Sequence, residues 1–188
     1  IKSSAASDVY KRQLMTRERL DSLLASGLHS ATISLDGFEE AHNWLRRNPK
    51  SFEKALNAIC MLAEEKEIIW DVVTCVNQRN FKDLMLFKDF LIEMGVKRWR
   101  IFTIFPVGRA ATETDLQLTN EQFTWVMNFI RFSRKEGKIH VATAARASSG
   151  IMRRRYAIRS SNATPASIRP RSWRTERSRA CLLYTSPS

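Results

Sequence analysis

A chain of 188 residues, 44 % of them apolar, is long enough for one domain with a sizeable core and is ordinary in composition for a globular protein. No run approaches the ~18 apolar residues of a membrane span, and the N-terminal stretch lacks the long apolar segment of a signal peptide. The net charge of +12 would ordinarily argue for nucleic acid as a partner, but it is a property of the C-terminal stretch. Arg146, Arg153, Arg154, Arg155, Arg159, Arg169, Arg171, Arg174, Arg177 and Arg179 lie there beside a single acid, Glu176, whereas acids and bases nearly balance between Leu14 and Val141. The expectation is therefore no nucleic-acid partner and no membrane. Cys60, Cys75 and Cys181 show neither metal-ligand spacing nor a disulfide framework, which fits a reducing, cytoplasmic setting.

In chain order, Leu14 to Gly27 places Leu14, Leu20, Leu23 and Leu24 at helical spacing, with Gly27 as the stop. Leu28 to Leu35 reads as a strand, and Asp36-Gly37 ends it in a sharp turn. A polar segment with His42 and Arg46 follows. A helix is expected after Pro49, with Ser51 as its cap and Phe52, Ala55, Leu56, Ile59 and Leu62 as an apolar stripe. Ile68 to Val76 is dense in β-branched residues and suits a parallel strand covered on both faces. Phe81 to Met94 reads as a helix carrying Leu84, Phe87, Lys88, Leu91 and Met94 on one side, closed by Gly95. Lys97 to Thr103 is a strand with Trp99 and Ile101 on one face. Thr119 and Gln122 form a capping-box signature for a helix whose apolar side is Phe123, Val126, Met127, Ile130 and Phe132. Gly137 ends that helix, and Ile139 to Val141 begins the next strand.

The order α-β-α-β-α-β-α-β predicts an α/β fold of parallel β/α repeats, either a barrel fragment or an open sheet. GxGxxG and GxxxxGK[ST] are both absent, so the common nucleotide fingerprints are missing. In such folds chemistry gathers where strands end, which singles out Ser34, Asp36 and Gly37, then Asn77, then Phe105 and the glycine-bearing loop from Pro106 to Ala111. A hydroxyl and a carboxylate at a strand exit suit a ribose or an amino-acid head group, and equally Asp36 can bond its own turn. His42 reads as a structural hydrogen-bonding residue, a proton donor or metal ligand, or a substrate contact. Asn77 offers a donor and acceptor pair to a cofactor edge, while Asn80 reads as a helix cap. Arg109 suits a carboxylate or phosphate, or open solvent. Trp44, Trp70, Trp99 and Trp125 are scattered over different elements and read as packing residues.

The stretch TISLDGFEEAHNWLRR, from Thr32 to Arg47, together with Phe52 to Ile59, Thr74 to Asn80 and Trp99 to Ala111, resembles the core domain of radical SAM enzymes. The likeness is to the SPASM-containing members that modify peptides and proteins. It implies a partial TIM barrel that binds S-adenosylmethionine and a [4Fe-4S] cluster. It also implies reductive cleavage to a 5′-deoxyadenosyl radical, a peptide or protein substrate, and an external electron donor. The cluster-binding CxxxCxxC motif is absent from this chain, so metal ligands are expected only in a longer parent and the chain itself is expected to be inactive. The resemblance assigns cofactor binding to Ser34 and Arg46, with Arg47 as the alternative to Arg46; Asp36 and Asn77 join them as cofactor-binding candidates from their places at the strand ends. It sets Phe105, Val107 and Gly108 against the adenine ring, the first two as apolar contacts and the glycine making room. Catalytic residues are not assigned. A non-catalytic α/β scaffold or adaptor without a cluster, and another β/α-barrel enzyme without iron, are the competing readings.

Ser3 to Gln13, SSAASDVYKRQ, and Cys181 to Ser188, CLLYTSPS, match translated sequencing-adapter ends. The expected organisation is an adapter-derived leader at 1–13, a radical SAM core fragment at 14–142, an out-of-frame linker and SPASM region at 143–180, and an adapter-derived tail at 181–188. With permissible codon choices, reverse translation in a neighbouring reading frame can yield cysteines near Ala145 and Ala163. The alternative for 143–180 is a real basic tail without packed structure.

Overall fold

The computed structural model describes residues 15–104 and 112–143. In order these form α1 (Arg17–Ala25), β1 (Ser30–Ser34), α2 (Glu39–Arg46), α3 (Ser51–Glu64), β2 (Ile69–Val76), α4 (Leu84–Glu93), β3 (Arg98–Thr103), α5 (Asn120–Glu136) and β4 (His140–Thr143). Short 3-10 turns at Phe81–Asp83 and Thr114–Leu116 precede α4 and α5. The sheet is parallel throughout and its strands lie in the order β1-β2-β3-β4. An open doubly wound sheet reverses direction at a switch point, whereas this order advances one way, as a barrel wall does. The expected α/β architecture of parallel β/α repeats, a partial TIM barrel of the radical SAM kind, is the one observed.

A crossover of constant hand that always advances the same way puts its helices on one face of the sheet. Ile33, Val72, Val76, Trp99, Ile101 and Val141 point to that face and pack with Phe87, Phe90, Leu91, Val126, Phe129 and Ile130 of α4 and α5. An aromatic column crosses the layer, with ring centroids 5.5 Å apart for Phe38 and Phe87, 5.9 Å for Phe87 and Trp99, and 5.8 Å for Trp99 and Phe129. Alternation along each strand sends Thr32, Asp71, Val73, Cys75, Arg100 and Phe102 to the other face, where none of them is buried. So, among the described residues, β2 is covered on one face rather than both. The reason lies in its sequence, where Asp71 and Cys75 share the uncovered side with Val73. Across that side Arg100 spans β2, pairing with Asp71 and donating to Thr32 Oγ1 at 2.8 Å.

Three local expectations are corrected. The polar segment after Gly37 is itself a helix, α2, with Phe38 at its N-cap and Arg47 ending it in the left-handed region at φ 52°. Ser51 is the first residue of α3 rather than its cap; Lys50 holds that place without a side-chain bond. In α5 the buried stripe is Val126, Phe129, Ile130 and Ser133, and Phe132 is 51 % exposed. The Thr119–Gln122 capping box is present in both directions, and Gly137 ends α5 at φ 72°. Lys88 is buried, as its place in the α4 stripe predicts, and is neutralised by Glu136 of α5. Lys138 and then Lys88 hold the Glu136 carboxyl below its ordinary range.

Candidate functional site

The C-terminal ends of β1 and β2 meet in a buried polar network centred on Asp36. Leu35 still pairs with β2, its N–H donating to Val73 O at 2.9 Å, so Asp36 enters the turn at a fixed height. Gly37 then turns the chain at φ 115°, where a side chain is strained. A Cβ there would also lie 3.2 Å from Asn80 Cβ. The turn directs the chain into α2, and α2 carries His42 and Arg46 back over Asp36, one turn apart.

Every polar group of Asp36 is engaged. Its N–H donates to His42 Nδ1 at 2.9 Å, and its carbonyl accepts from Asn80 Nδ2 at 2.7 Å. Oδ1 accepts the Cys75 N–H at 2.8 Å. Oδ2 accepts from Arg46 Nε at 2.7 Å and lies 2.6 Å from Arg46 Nη2. Because His42 Nδ1 accepts a backbone proton, the ring carries its hydrogen on Nε2, which donates to Ser51 Oγ at 3.0 Å at the start of α3. Burial works to raise the Asp36 pKa, but the Arg46 guanidinium and the Cys75 amide more than offset it and hold the carboxyl below its usual range. Burial and the neighbouring Asp36 charge push the Cys75 thiol up to about 11 against the lowering effect of Arg46, so it stays protonated at neutral pH.

A second tier braces the first. Asn80 Oδ1 accepts the Asn77 N–H at 2.9 Å, and Asn80 Nδ2 also donates to Cys75 O at 2.9 Å. Asn77 is buried and its Oδ1 accepts the Arg79 N–H at 2.9 Å. Below, Trp99 Nε1 donates to Thr74 Oγ1 at 2.8 Å and Thr74 Oγ1 donates to Leu35 O at 2.6 Å, tying three strands just under the turn. Arg79 stacks on Trp44 with 4.0 Å between the guanidinium carbon and the ring centroid, and reaches Asp115 at 2.9 Å. The β2 exit loop thereby joins α2 to the segment before α5.

Of the residues singled out from sequence, Asp36, His42, Arg46 and Asn77 come together here, and Ser34 stands one pleat below on the uncovered face. Phe105, Val107, Gly108 and Arg109 lie outside the described residues. Asp36 is wholly buried while Arg46 is 37 % exposed, so the arginine is the member that faces outward. His42 is the structural hydrogen-bonding residue among its three readings. Asn80 is more than a cap: its side chain makes no cap bond and is instead a hub of the turn. Neither Asn80 nor Ser51 was legible as part of the site, because the partners of Asn80 lie 44 and 5 residues away and that of Ser51 lies 9 away. Only the pairing of Asn77 and Asn80 across one short turn hinted at it.

An iron-sulfur cluster does not fit the described residues. They hold no group of three His, Cys, Asp or Glu that could ligate a metal. The amino-acid end of S-adenosylmethionine does fit. Two of the five N–H donors of Arg46 are spent on Asp36 Oδ2, which leaves a partly exposed guanidinium edge of the geometry a carboxylate takes. Two surface grooves among the described residues lie elsewhere, at the N-terminal ends of β1, β2 and β3, one bordered by Leu28 and Glu65 and the other by Ile69 and Arg98. None of the network residues lines them. Among the described residues no helix is long and apolar enough to cross a membrane.

The chain is 31 % identical over 156 residues to an AdoMet-dependent heme synthase of Nitratidesulfovibrio vulgaris, across 81 % of this chain and 42 % of that protein. It is 30 % identical over 147 residues to an AdoMet-dependent heme synthase of Oleidesulfovibrio alaskensis, across 76 % of this chain and 37 % of the relative. A third AdoMet-dependent heme synthase, from Methanosarcina barkeri, is 28 % identical over 142 residues, across 74 % and 40 %. The chain thus spans about two fifths of the length of the curated relatives it matches. No protein-family model matches it.

Proposed function

We propose, from the premise that homology supports membership in the radical SAM superfamily, that this chain is the part of a radical SAM core domain that holds the methionine end of S-adenosylmethionine. The observation that carries the reading is the outward guanidinium of Arg46, fixed by one edge to buried Asp36 at the exit of β1. Arg46 binds the methionine carboxylate. Ser34 lies on the uncovered sheet face at the same strand end and contributes a hydroxyl. Asn77, fixed within the β2 exit turn, sets the neighbouring edge of the site. Phe105, Val107 and Gly108 take the adenine ring. The cofactor, when bound beside a cluster supplied by other parts of a longer protein, provides the radical chemistry; the residues described here bind and orient it and keep water from its amino-acid end.

The substrate of the longer protein is a peptide or protein on the maturase resemblance, and an external donor supplies the electron. One observation favours a second reading: all three relatives named above are heme synthases, which points to heme formation and a tetrapyrrole substrate. Assaying the longer protein on a heme-precursor tetrapyrrole and on peptides separates the two.

Equilibrium binding of S-adenosylmethionine to the full chain tests the cofactor reading. Binding should weaken by roughly tenfold or more in Arg46→Ala and by a smaller factor in Ser34→Ala, in line with the loss of a charge-assisted and a neutral hydrogen bond. Equal affinity in all three proteins, or none in the parent chain, contradicts it.

A further inference from the structure

We propose that Asp36 is a positioning residue: with His42, Ser51 and Asn80 it pre-sets the guanidinium of Arg46 to receive a carboxylate, and does not itself touch the ligand. This rests on the cofactor reading above and changes the part Asp36 plays in it. Asp36 has no exposed surface, and both of its carboxylate oxygens and both of its backbone polar groups are taken. A ligand has nothing left on it to bind.

The form of the Asp36–Arg46 contact separates positioning from a plain structural ion pair. In a closed fork-on-fork pair the two carboxylate oxygens take two guanidinium nitrogens. Here Nε and Nη2 converge on Oδ2 alone, and Oδ1 is committed to the backbone of β2 at Cys75. The carboxylate therefore belongs to the sheet and grips the arginine by one edge. Three N–H groups remain on the partly exposed side. A free arginine side chain loses rotamer freedom when it is fixed, and a grip made in advance removes part of that cost from binding.

The supports behind Asp36 serve the same end. His42 accepts from the Asp36 N–H and donates to Ser51, so α2 and the start of α3 are locked to the β1 exit by a neutral imidazole of defined tautomer. Asn80 holds the Asp36 carbonyl and the Cys75 carbonyl with one amide, so the turn cannot shift relative to β2. A carboxylate is required at the hub because it accepts on both oxygens. An amide of the same shape turns one of them into a donor, facing either the Cys75 N–H or Arg46.

The test compares two nucleosides that share adenosine and sulfur: S-adenosylhomocysteine, which has a carboxylate, and 5′-methylthioadenosine, which lacks one. Calorimetric titration of the full chain should give about tenfold or greater preference for the carboxylate-bearing ligand. Asp36→Asn should collapse that preference toward unity while leaving the affinity for 5′-methylthioadenosine within about twofold of the parent chain, and Arg46→Lys should do the same. An Asp36→Asn chain that keeps the full preference overturns the inference and leaves the cofactor reading standing. A parent chain that binds both ligands equally, or neither, overturns the role of Arg46 and this inference with it. Should Asp36→Asn fail to fold, the unsubstituted chain decides through the NMR signal of Arg46 Nε–H. A separate, exchange-protected resonance in the ligand-free protein is expected. A signal averaged with those of the exposed arginines overturns the pre-set geometry.

Discussion

Gly37 is the residue on which the site turns, since its φ of 115° and the 3.2 Å approach to Asn80 leave no place for a side chain. Gly37→Ala is expected to destabilise the chain by roughly 2 kcal/mol through strain and displacement of Asn80, measured by urea denaturation. A loss below experimental error would mean that the turn relaxes without consequence. Asp36 carries a pH signature of definite sign. Its folded pKa lies below its unfolded value of about 3.9, so its contribution to stability is fully present above that value and is lost as pH falls through the folded one. The stability gap between the parent chain and Asp36→Asn should be flat above about pH 5 and shrink below about pH 4. A gap that stays constant down to pH 3 counts against the network. The sequence shows Asp36-Gly37 as a turn at a strand end, and the turn is there. It does not show that Asp36 is buried, because the residues that make burial tolerable, Arg46 and Cys75, lie 10 and 39 positions away.

At the scale of elements, legibility followed how local the cause was. The α5 capping box is written in two residues three apart, and it forms as written. Thr119→Ala should cost about 1 kcal/mol in thermal or urea unfolding. The buried stripe of the same helix was misread because Ser133 takes the position that an apolar residue would mark. Phe132, one residue earlier, lies 51 % exposed, while Phe129 packs on Trp99 and Trp125. Phe129→Ala is therefore expected to cost about 3–5 kcal/mol and Phe132→Gln less than about 0.5 kcal/mol. The reverse order would place the core on the other side of α5. Helix α2 escaped the sequence reading for a similar reason. Its one fully buried residue is His42, and polar burial leaves no apolar period to read.

The described residues form a wall of four parallel strands with helices on one face and, on the other, Ser34, Asp71 and Arg100. The repeat order was legible from strand spacing alone. Barrel against open sheet was not, because that choice lies in the order of strand pairing, which periodicity does not encode. The described residues contain no ligand set for a cluster, so the chain alone should take up no [4Fe-4S] cluster on anaerobic reconstitution with iron and sulfide and should cleave no S-adenosylmethionine. Turnover by this chain would show that its remaining residues complete the centre. The central claim, that residues 14–142 belong to a radical SAM enzyme, is tested most directly by a long sequencing read across the locus in the source DNA. The account predicts a CxxxCxxC motif upstream in the same frame, and a one-base correction near residue 143 that restores downstream cysteines. An uninterrupted frame as written, with no such cysteine loop upstream, would contradict it and leave an α/β scaffold with a real basic tail.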